Sequence, residues 1–216
     1  INIIPALVFA YNVLVYGQMT AAIEPINVPV IAYLVFRLYR AFIYPFRRSR
    51  HSKPWPNEVV LYYLGINTLL AIVEARTIMF EYWGFSGAFN YVLAGIYLIA
   101  LYVNVTTDFI MCAKRTGKKN GYRLLRGGLF DYVSQPNYAA EVVMWISWIM
   151  TCSFSIGTVT VIAFMFTLFI GRSKLLHKWN QEYFRTWGLK TTPIIPGFEF
   201  TVKKGDYRGI FDFMVL

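Results

Sequence analysis

Six apolar runs separated by short polar stretches dominate the pattern of hydrophobic and polar positions along the chain. Each run is long enough, or nearly so, to cross the roughly 30 Å hydrocarbon core of a bilayer as an α-helix. The pattern predicts transmembrane helices at residues 3–16, 27–46, 58–80, 88–112, 138–154 and 156–171. Because the chain begins at Ile1 rather than at a methionine, we expect the first helix to be the tail of a segment that starts upstream. The sequence therefore predicts an all-α integral membrane protein.

Composition and charge agree with this interpretation and orient the helices. The chain is 57% hydrophobic and only 15% charged, unlike an ordinary soluble domain. Lys and Arg are concentrated at 47–53, 114–126 and 172–190, whereas the connections at 17–26, 82–87 and 154–157 contain neither. Six crossings place every basic connection on one face, which the positive-inside rule assigns to the cytosol or a matrix-like compartment. The net charge of +10 belongs to that face, where it would also attract anionic lipid of the bilayer.

The sequence does not favour nucleic-acid binding, a disulfide framework, a haem or a metal site. The basic residues lie beside predicted membrane ends and no nucleic-acid-binding motif goes with them, so a nucleic-acid partner is not expected. Cys112 and Cys152 are far apart and lie in or beside apolar segments, which does not suggest a disulfide framework or a metal site. His51 and His177 fall in or next to basic segments, so a haem held by two histidines or a zinc site is not expected.

Polar residues within the apolar segments are the next signal, because each is costly in hydrocarbon unless it faces a partner or a cavity. Helical spacing predicts three polar stripes: Asn104, Asp108, Met111 and Arg115; Asn137, Glu141, Trp145 and Trp148; Tyr33, Arg37, Arg40 and Tyr44. Glu74 and Arg76 add two charges to the third segment. These groups could simply pair with one another between helices, above all Arg37, Arg40, Glu74 and Arg76.

The first two stripes favour a binding site instead, because they converge on the basic connection that contains Arg123. Cations at the mouth of a helical bundle suit the phosphates of a large anionic ligand. Amides and carboxylates deeper inside could hold ribose hydroxyls or a nicotinamide amide. We therefore expect a ligand site at the basic end of the bundle.

Residues 126–141, RGGLFDYVSQPNYAAE, carry a family resemblance. The glycine pair, the triplet Pro136-Asn137-Tyr138 and the acid Glu141 one turn later are similar to the C-terminal signature of the steroid 5-alpha-reductase family, which includes the trans-2-enoyl-CoA reductases. The similarity extends upstream to Asn104-x-x-x-Asp108 and downstream to His177-Lys178-Trp179, and covers roughly residues 100–200. This resemblance implies a seven-helix membrane bundle, of which six helices would be visible.

The resemblance also implies a cofactor and a reaction. Family members bind NADPH in the C-terminal half of the bundle and reduce a carbon–carbon double bond conjugated to a carbonyl, here in a lipid-like substrate such as a steroid, polyprenol or enoyl-CoA. The residues implied in NADPH binding are Asn104, Asp108, Arg115, Tyr122, Arg123, Asn137, Glu141 and His177. The chain has no GxGxxG pattern, so the cofactor would be held by helices and loops rather than by a Rossmann turn.

The substrate half departs from the family pattern. Aligning Arg40, Phe42 and Tyr44 with the family's R-x-F-x-Y run places Arg37 where a catalytic tyrosine is expected. Arg37 could stabilise an enolate, with Tyr33 or Tyr39 supplying a proton, in which case the protein reduces a different substrate. Alternatively, catalysis has been lost and the bundle serves as an accessory or structural subunit of a membrane complex, such as a mitochondrial respiratory complex.

The organisation predicted for the chain is one membrane domain over 1–200, with the cofactor half at about 100–200, followed by a polar extension over 201–216. That extension could lie on the bilayer or dock partner subunits. The resemblance implies the endoplasmic reticulum, and a subunit role would fit the mitochondrial inner membrane. A membrane methyltransferase shares a similar cofactor pocket but resembles R-H-P-x-Y, and Gln135-Pro136-Asn137 has no histidine. Broken-helix signals of a transporter are not seen.

Overall fold

The computed structural model describes residues 3–16, 27–47, 56–80, 87–115, 125–152 and 156–184. Within these ranges the chain forms α-helices, one short π turn and one short 3-10 turn. The described residues contain no strand. The helices are α1 (Ile3–Tyr16), α2 (Asn27–Leu38), α3 (Tyr44–Arg47), α4 (Asn57–Phe80), α5 (Gly87–Arg115), α6 (Pro136–Cys152) and α7 (Ile156–Phe184). Tyr122, Arg123 and the polar extension lie outside the described residues, as does the predicted boundary at residue 200.

Helices α2 and α3 form one continuous helical segment, because a π-helical turn at Tyr39–Ile43 joins them. The N–H of Tyr44 donates to the carbonyl of Tyr39, five residues back, rather than to a carbonyl four residues back. Such turns insert one residue into a helix and are frequent at functional sites. Side chains that follow this turn are therefore rotated about the helix axis relative to those that precede it.

The helices confirm an all-α membrane protein. Each of the six predicted segments is helical over the residues that the structure describes. Within the described ranges, three stretches can cross a membrane by length and apolar composition alone, namely Asn57–Thr77, Ala88–Ala113 and Gly157–Glu182, and Ile3–Val15 is a shorter apolar helix. Large apolar side chains such as Leu61, Leu98 and Ile99 are exposed on the outer surface of the bundle, as expected for a lipid-facing surface.

The last helix differs from the prediction, which ended it at residue 171. Helix α7 continues to Phe184 and includes Arg172, Lys174 and Lys178. Lys and Arg are good helix formers, and their long stems can cover apolar surface while the charge reaches water. A drop in hydropathy therefore marked the end of the apolar span and not the end of the helix.

Packing of the helices determines where the polar stripes meet. Helix α5 packs most extensively against α6, while α2 contacts α1, α5 and α6, and α4 contacts α1 and α7. Phe9, Tyr33, Trp148 and Ile149 lie fully buried in the shared core. The last turns of α2 consequently lie beside the polar faces of α5 and α6.

Candidate functional site

A polar seam runs between α5 and α6 at the basic end of the bundle. Asn104 and Asp108 lie one turn apart on α5, and Asn137 and Glu141 lie one turn apart on α6. All four are buried, from 0% exposed for Asn104 to 6% for Asn137. The Nδ2 group of Asn104 donates to the backbone carbonyl of Asn137 at 2.9 Å. The predicted shared faces are confirmed, and packing of α5 on α6 turns them toward each other.

Arg40 joins this seam from the π turn. Its guanidinium lies 3.5 Å from Asp108 Oδ2 and forms an ion pair with Glu141. The Tyr39 hydroxyl donates to the same Asp108 oxygen at 3.2 Å. We call Tyr39, Arg40, Asp108 and Glu141 the carboxylate cluster. It connects three helical segments that are far apart in the sequence.

The electrostatics of the carboxylate cluster leave acceptor capacity for a ligand. Buried charges are tolerated in a membrane bundle only when they are paired and hydrogen-bonded. One guanidinium serves two carboxylates here, and each carboxylate has about four lone-pair positions. Asp108 and Glu141 can therefore accept hydrogen bonds from hydroxyl or amide groups of a ligand while they remain paired with Arg40.

Three buried polar atoms beside this cluster have no hydrogen-bond partner among the described residues: Asn104 Oδ1, Asn137 Oδ1 and Trp145 Nε1. Buried side-chain polar atoms nearly always have a partner, in the protein, in water or in a ligand. Two acceptors and one donor on neighbouring helix faces complement a ligand group that offers donors and an acceptor. A carboxamide or a pair of sugar hydroxyls has that character.

An aromatic cleft lies deeper in the bundle. Its lining is almost entirely aromatic and comes from α2, α5 and α6: Tyr33, Phe36, Tyr97, Met144, Trp145 and Trp148. Trp145 and Trp148 meet edge to face, with ring centroids 5.6 Å apart. The cleft has room for about one water molecule. A lipid-sized ligand could enter only if these side chains turn or the helices separate.

Arg37 lies beside this cleft in a second buried charge group. Its Nη1 donates to Asn67 Oδ1 at 3.0 Å, and its Nη2 is 4.0 Å from Glu74 Oε2. The guanidinium carbon is 4.9 Å from the centroid of the Tyr33 ring. Arg37 is 3% exposed and Glu74 1% exposed. We call Tyr33, Arg37, Asn67 and Glu74 the arginine group. The possibility that Arg37 pairs with Glu74 is confirmed.

The structure separates residues that the sequence analysis grouped as catalytic. Tyr33 and Arg37 are in contact, but the Tyr39 hydroxyl is bonded to Asp108 in the carboxylate cluster. Tyr39 therefore belongs to the predicted cofactor end rather than to the arginine group. Arg37 and Tyr39 are two residues apart in the helical segment, and residues at that spacing do not face the same side of a helix.

The remaining predicted cofactor residues are less fully described. His177 is buried on α7, where the Gln181 amide lies 2.9 Å from its ring, Nε2 to Nε2. Arg115 ends α5, and its side chain lies outside the described residues. Sequence reasoning missed the roles of Arg40 and Asn67 in these contacts. The signal for Arg40 was present, since it lies in the same polar stripe as Arg37.

The glycine pair shapes the approach to α6. Gly127 and Gly128 have backbone φ angles of 97° and 62°, which residues other than glycine rarely adopt. The N–H of Gly127 donates to Asp131 Oδ1 at 2.9 Å, and a 3-10 turn at Gly128–Asp131 buries Phe130. Pro136 then occupies the first turn of α6, where its fixed φ suits a helix start. This turn places Asn137 at the mouth of the seam.

Sequence comparison identifies the family. Residues 61–198, which are more than half of the chain, match the sequence model described as 3-oxo-5-alpha-steroid 4-dehydrogenase. The chain belongs to the 3-oxo-5-alpha-steroid 4-dehydrogenase family. This confirms the resemblance to steroid 5-alpha-reductases. The matched region includes both carboxylates of the cluster and the two seam asparagines, whereas Arg37, Tyr39 and Arg40 lie before it.

Relatives of this 3-oxo-5-alpha-steroid 4-dehydrogenase family member include plant and animal proteins. The chain is 28% identical over 173 residues to the steroid 5-alpha-reductase DET2 of Arabidopsis thaliana, covering 71% of this chain and 64% of that protein. It is 30% identical over 159 residues to 3-oxo-5-alpha-steroid 4-dehydrogenase 1 of Bos taurus, covering 70% and 60%. It is also 30% identical over 161 residues to DET2 of Solanum lycopersicum, covering 70% and 61%. The aligned part is thus less than two thirds of each relative.

Proposed function

We propose that this protein binds NADPH at the polar seam and uses it to reduce a carbon–carbon double bond conjugated to a carbonyl in a lipid substrate. One observation carries the proposal: buried amide and carboxylate groups of α5 and α6 converge beside an aromatic cleft. They do so within the region that matches a family of steroid dehydrogenases. A seam of this polarity inside an apolar bundle would be costly without a ligand or a charge partner.

The residues present fit such a cofactor. The Oδ1 atoms of Asn104 and Asn137 are buried acceptors without partners among the described residues, and they suit the N–H groups of a carboxamide. Asp108 and Glu141 suit ribose hydroxyls. Arg115 and Arg123 would meet the phosphates, because guanidinium groups bind phosphate oxygens bidentately. The hydroxyl of Tyr122 would donate a hydrogen bond to the same group. His177 on α7 would also contact the cofactor, as the family resemblance implies.

The arginine group would carry out the chemistry on the substrate. The β carbon of the conjugated double bond would receive a hydride from bound NADPH. Negative charge then develops on the carbonyl oxygen, where the N–H groups of Arg37 stabilise it. Asn67 and Glu74 hold the guanidinium in place, and the Tyr33 hydroxyl delivers a proton to the α carbon. The aromatic cleft excludes water from these steps.

Cofactor binding is the first experiment, because it needs no knowledge of the substrate. Fluorescence titration of the purified protein with NADPH should give saturable binding, with NADH and S-adenosylmethionine as comparison ligands. Glu141→Gln should weaken NADPH binding at least tenfold, because a buried charged acceptor is lost. The matched control is Glu182→Gln, which changes an exposed carboxylate on α7. No saturable NADPH binding, or equal affinity in Glu141→Gln, contradicts the proposal.

Turnover is tested separately by following NADPH oxidation with conjugated steroids, polyprenyl substrates and enoyl-CoA thioesters. Reduction of one class, lost in Arg37→Met with NADPH binding retained, supports the proposed reaction. NADPH binding without oxidation across all three classes limits the function to cofactor binding.

A second candidate is a cofactor-binding subunit without catalysis, and the size of the cleft favours it. Space for about one water molecule does not admit a lipid substrate without rearrangement. Such a subunit would belong to a larger membrane complex, as in a respiratory membrane. Mild-detergent extraction that yields a stoichiometric complex favours this candidate, whereas extraction as a lone chain disfavours it.

The membrane itself is also proposed. Family membership favours the endoplasmic reticulum, with the basic ends of the helices toward the cytosol. The mitochondrial inner membrane is the alternative for the subunit role. Fluorescent tagging of the full-length protein, with organelle markers, distinguishes the two.

A further inference from the structure

Arg40 holds an unusual position between the two halves of the bundle. It lies on the π turn, outside the region that matches the family, yet it contacts both carboxylates of the seam inside that region. Its guanidinium carbon lies over the rings of Phe36 and Tyr44, 5.4 Å and 4.8 Å from their centroids. The stacked rings restrict how far the guanidinium can swing.

We infer that Arg40 is a positioning residue, which holds the Asp108 and Glu141 carboxylates together and oriented for a ligand. Two carboxylates in an apolar surrounding repel each other unless a cation lies between them. A planar guanidinium can donate to both at once, which a lysine ammonium does less well. The contacts reach Asp108 on α5 and Glu141 on α6 simultaneously, so Arg40 also holds those two helices in register.

Direct phosphate binding is the competing role for Arg40. The geometry favours the positioning role, because its side chain is only 17% exposed and already contacts two carboxylates. The rings of Phe36 and Tyr44, which lie within 5.4 Å of the guanidinium carbon, limit its movement away from those acids. A residue that served phosphates would need to leave these contacts when the ligand bound.

A stability cycle without any ligand tests the positioning role. In Arg40→Gln the two carboxylates lose their shared cation, and the Tm in detergent should fall by about 5 to 10 °C. Glu141→Gln removes one of the two like charges, so the double variant Arg40→Gln/Glu141→Gln should recover most of that loss. Glu182→Gln, which removes an exposed charge on α7, is the control and should change the Tm little, because its ion pair with Lys178 is exposed. Losses that simply add in the double variant overturn the inference.

A variant that does not fold still gives an answer. If Arg40→Gln yields no folded protein, recovery of folded protein by adding Glu141→Gln or Asp108→Asn supports the positioning role. Failure of both double variants to recover folded protein overturns it.

A binding measurement separates positioning from charge balance alone, and this arm rests on the proposed function. Arg40→Lys keeps the positive charge between the two carboxylates, so its Tm should equal that of the parent protein and not fall as in Arg40→Gln. Because a lysine ammonium cannot hold both carboxylates in one plane, NADPH affinity in this variant should stay about tenfold weaker than in the parent. Parent affinity in Arg40→Lys would show that only the charge matters and would overturn the positioning role. Absence of NADPH binding in the parent protein would refute the proposed function and leave the stability cycle intact.

Discussion

Arg37 and Arg40 lie three residues apart in one helical segment, yet their guanidinium groups contact different helices. Arg37 is bonded to Asn67 and paired with Glu74 on α4, while Arg40 is paired with Asp108 on α5 and Glu141 on α6. The π turn that begins at Tyr39 falls between them. The buried Arg37 is thus paired with an acid beside the aromatic cleft, and the partly buried Arg40 is paired with two acids at the polar seam.

Removing Arg37 should separate catalysis from cofactor binding. Arg37→Met should lower turnover by roughly 100-fold or more, because a donor to the developing carbonyl charge is lost. It should also cost about 3–5 kcal/mol of stability, since Glu74 stays buried without its cation. Turnover assays and thermal unfolding measure the two effects.

The double variant Arg37→Met/Glu74→Leu is the control for that experiment. Replacing a buried ion pair by apolar residues of similar volume is often neutral for stability. We expect it to regain most of the stability and none of the turnover. Turnover at the parent rate in either variant would exclude Arg37 as the stabilising donor.

Tyr33 and Tyr39 should give different results, because they belong to different groups. Tyr33→Phe should reduce turnover at least tenfold and leave NADPH affinity unchanged. Tyr39→Phe removes the hydrogen bond to Asp108 and should weaken NADPH binding about threefold to tenfold. Steady-state kinetics and cofactor titration separate the two outcomes. The exposed Tyr102 on α5 supplies the control Tyr102→Phe, in which both quantities should be unchanged. Lower turnover with unchanged NADPH affinity in Tyr39→Phe would instead make Tyr39 a catalytic residue.

Asn137 should contribute to cofactor affinity through its side chain. Asn137→Ala deletes a buried acceptor that has no partner among the described residues, so NADPH binding should weaken about tenfold while stability changes little. Asn12→Ala on α1 removes an asparagine whose amide donates to the Val8 carbonyl of its own helix, and should leave binding unchanged. Titration of both variants measures the difference. Equal affinities in Asn137→Ala and the parent protein would place the cofactor elsewhere.

The glycine turn offers a paired stability test. Gly127→Ala should destabilise the protein by about 1–2 kcal/mol, because its φ of 97° is strained for a residue with a Cβ atom. Gly65→Ala in the middle of α4 should stabilise it by up to about 1 kcal/mol, since an added Cβ there meets nothing within 4 Å and alanine favours a helix. Thermal unfolding in one detergent compares them directly. Similar effects of the two substitutions would mean that the turn is not strained.

Periodicity predicted most of what lies along a single helix. Asn104 and Asp108, like Asn137 and Glu141, were placed on shared faces because residues four apart lie one above the other on a helix. Hydropathy located all six apolar helices but ended α7 too early, because basic residues that continue a helix lower hydropathy without ending it. The family resemblance was likewise available from a short motif, and the family match over residues 61–198 confirms it.

The sequence by itself determined the membrane class, the helix positions and which residues share a face, since these depend on local periodicity and apolar length. Only the tertiary structure decided which faces meet. Tyr39 contacts Asp108 and Tyr33 lies beside Arg37, and helical spacing alone does not predict which neighbouring helix each side chain reaches. The choice of partners for Arg37 and Arg40 depends on how α2 packs against α4, α5 and α6. Contacts between residues far apart in the sequence are set by that packing, because the burial of each charge is stable only where an opposite charge lies within reach.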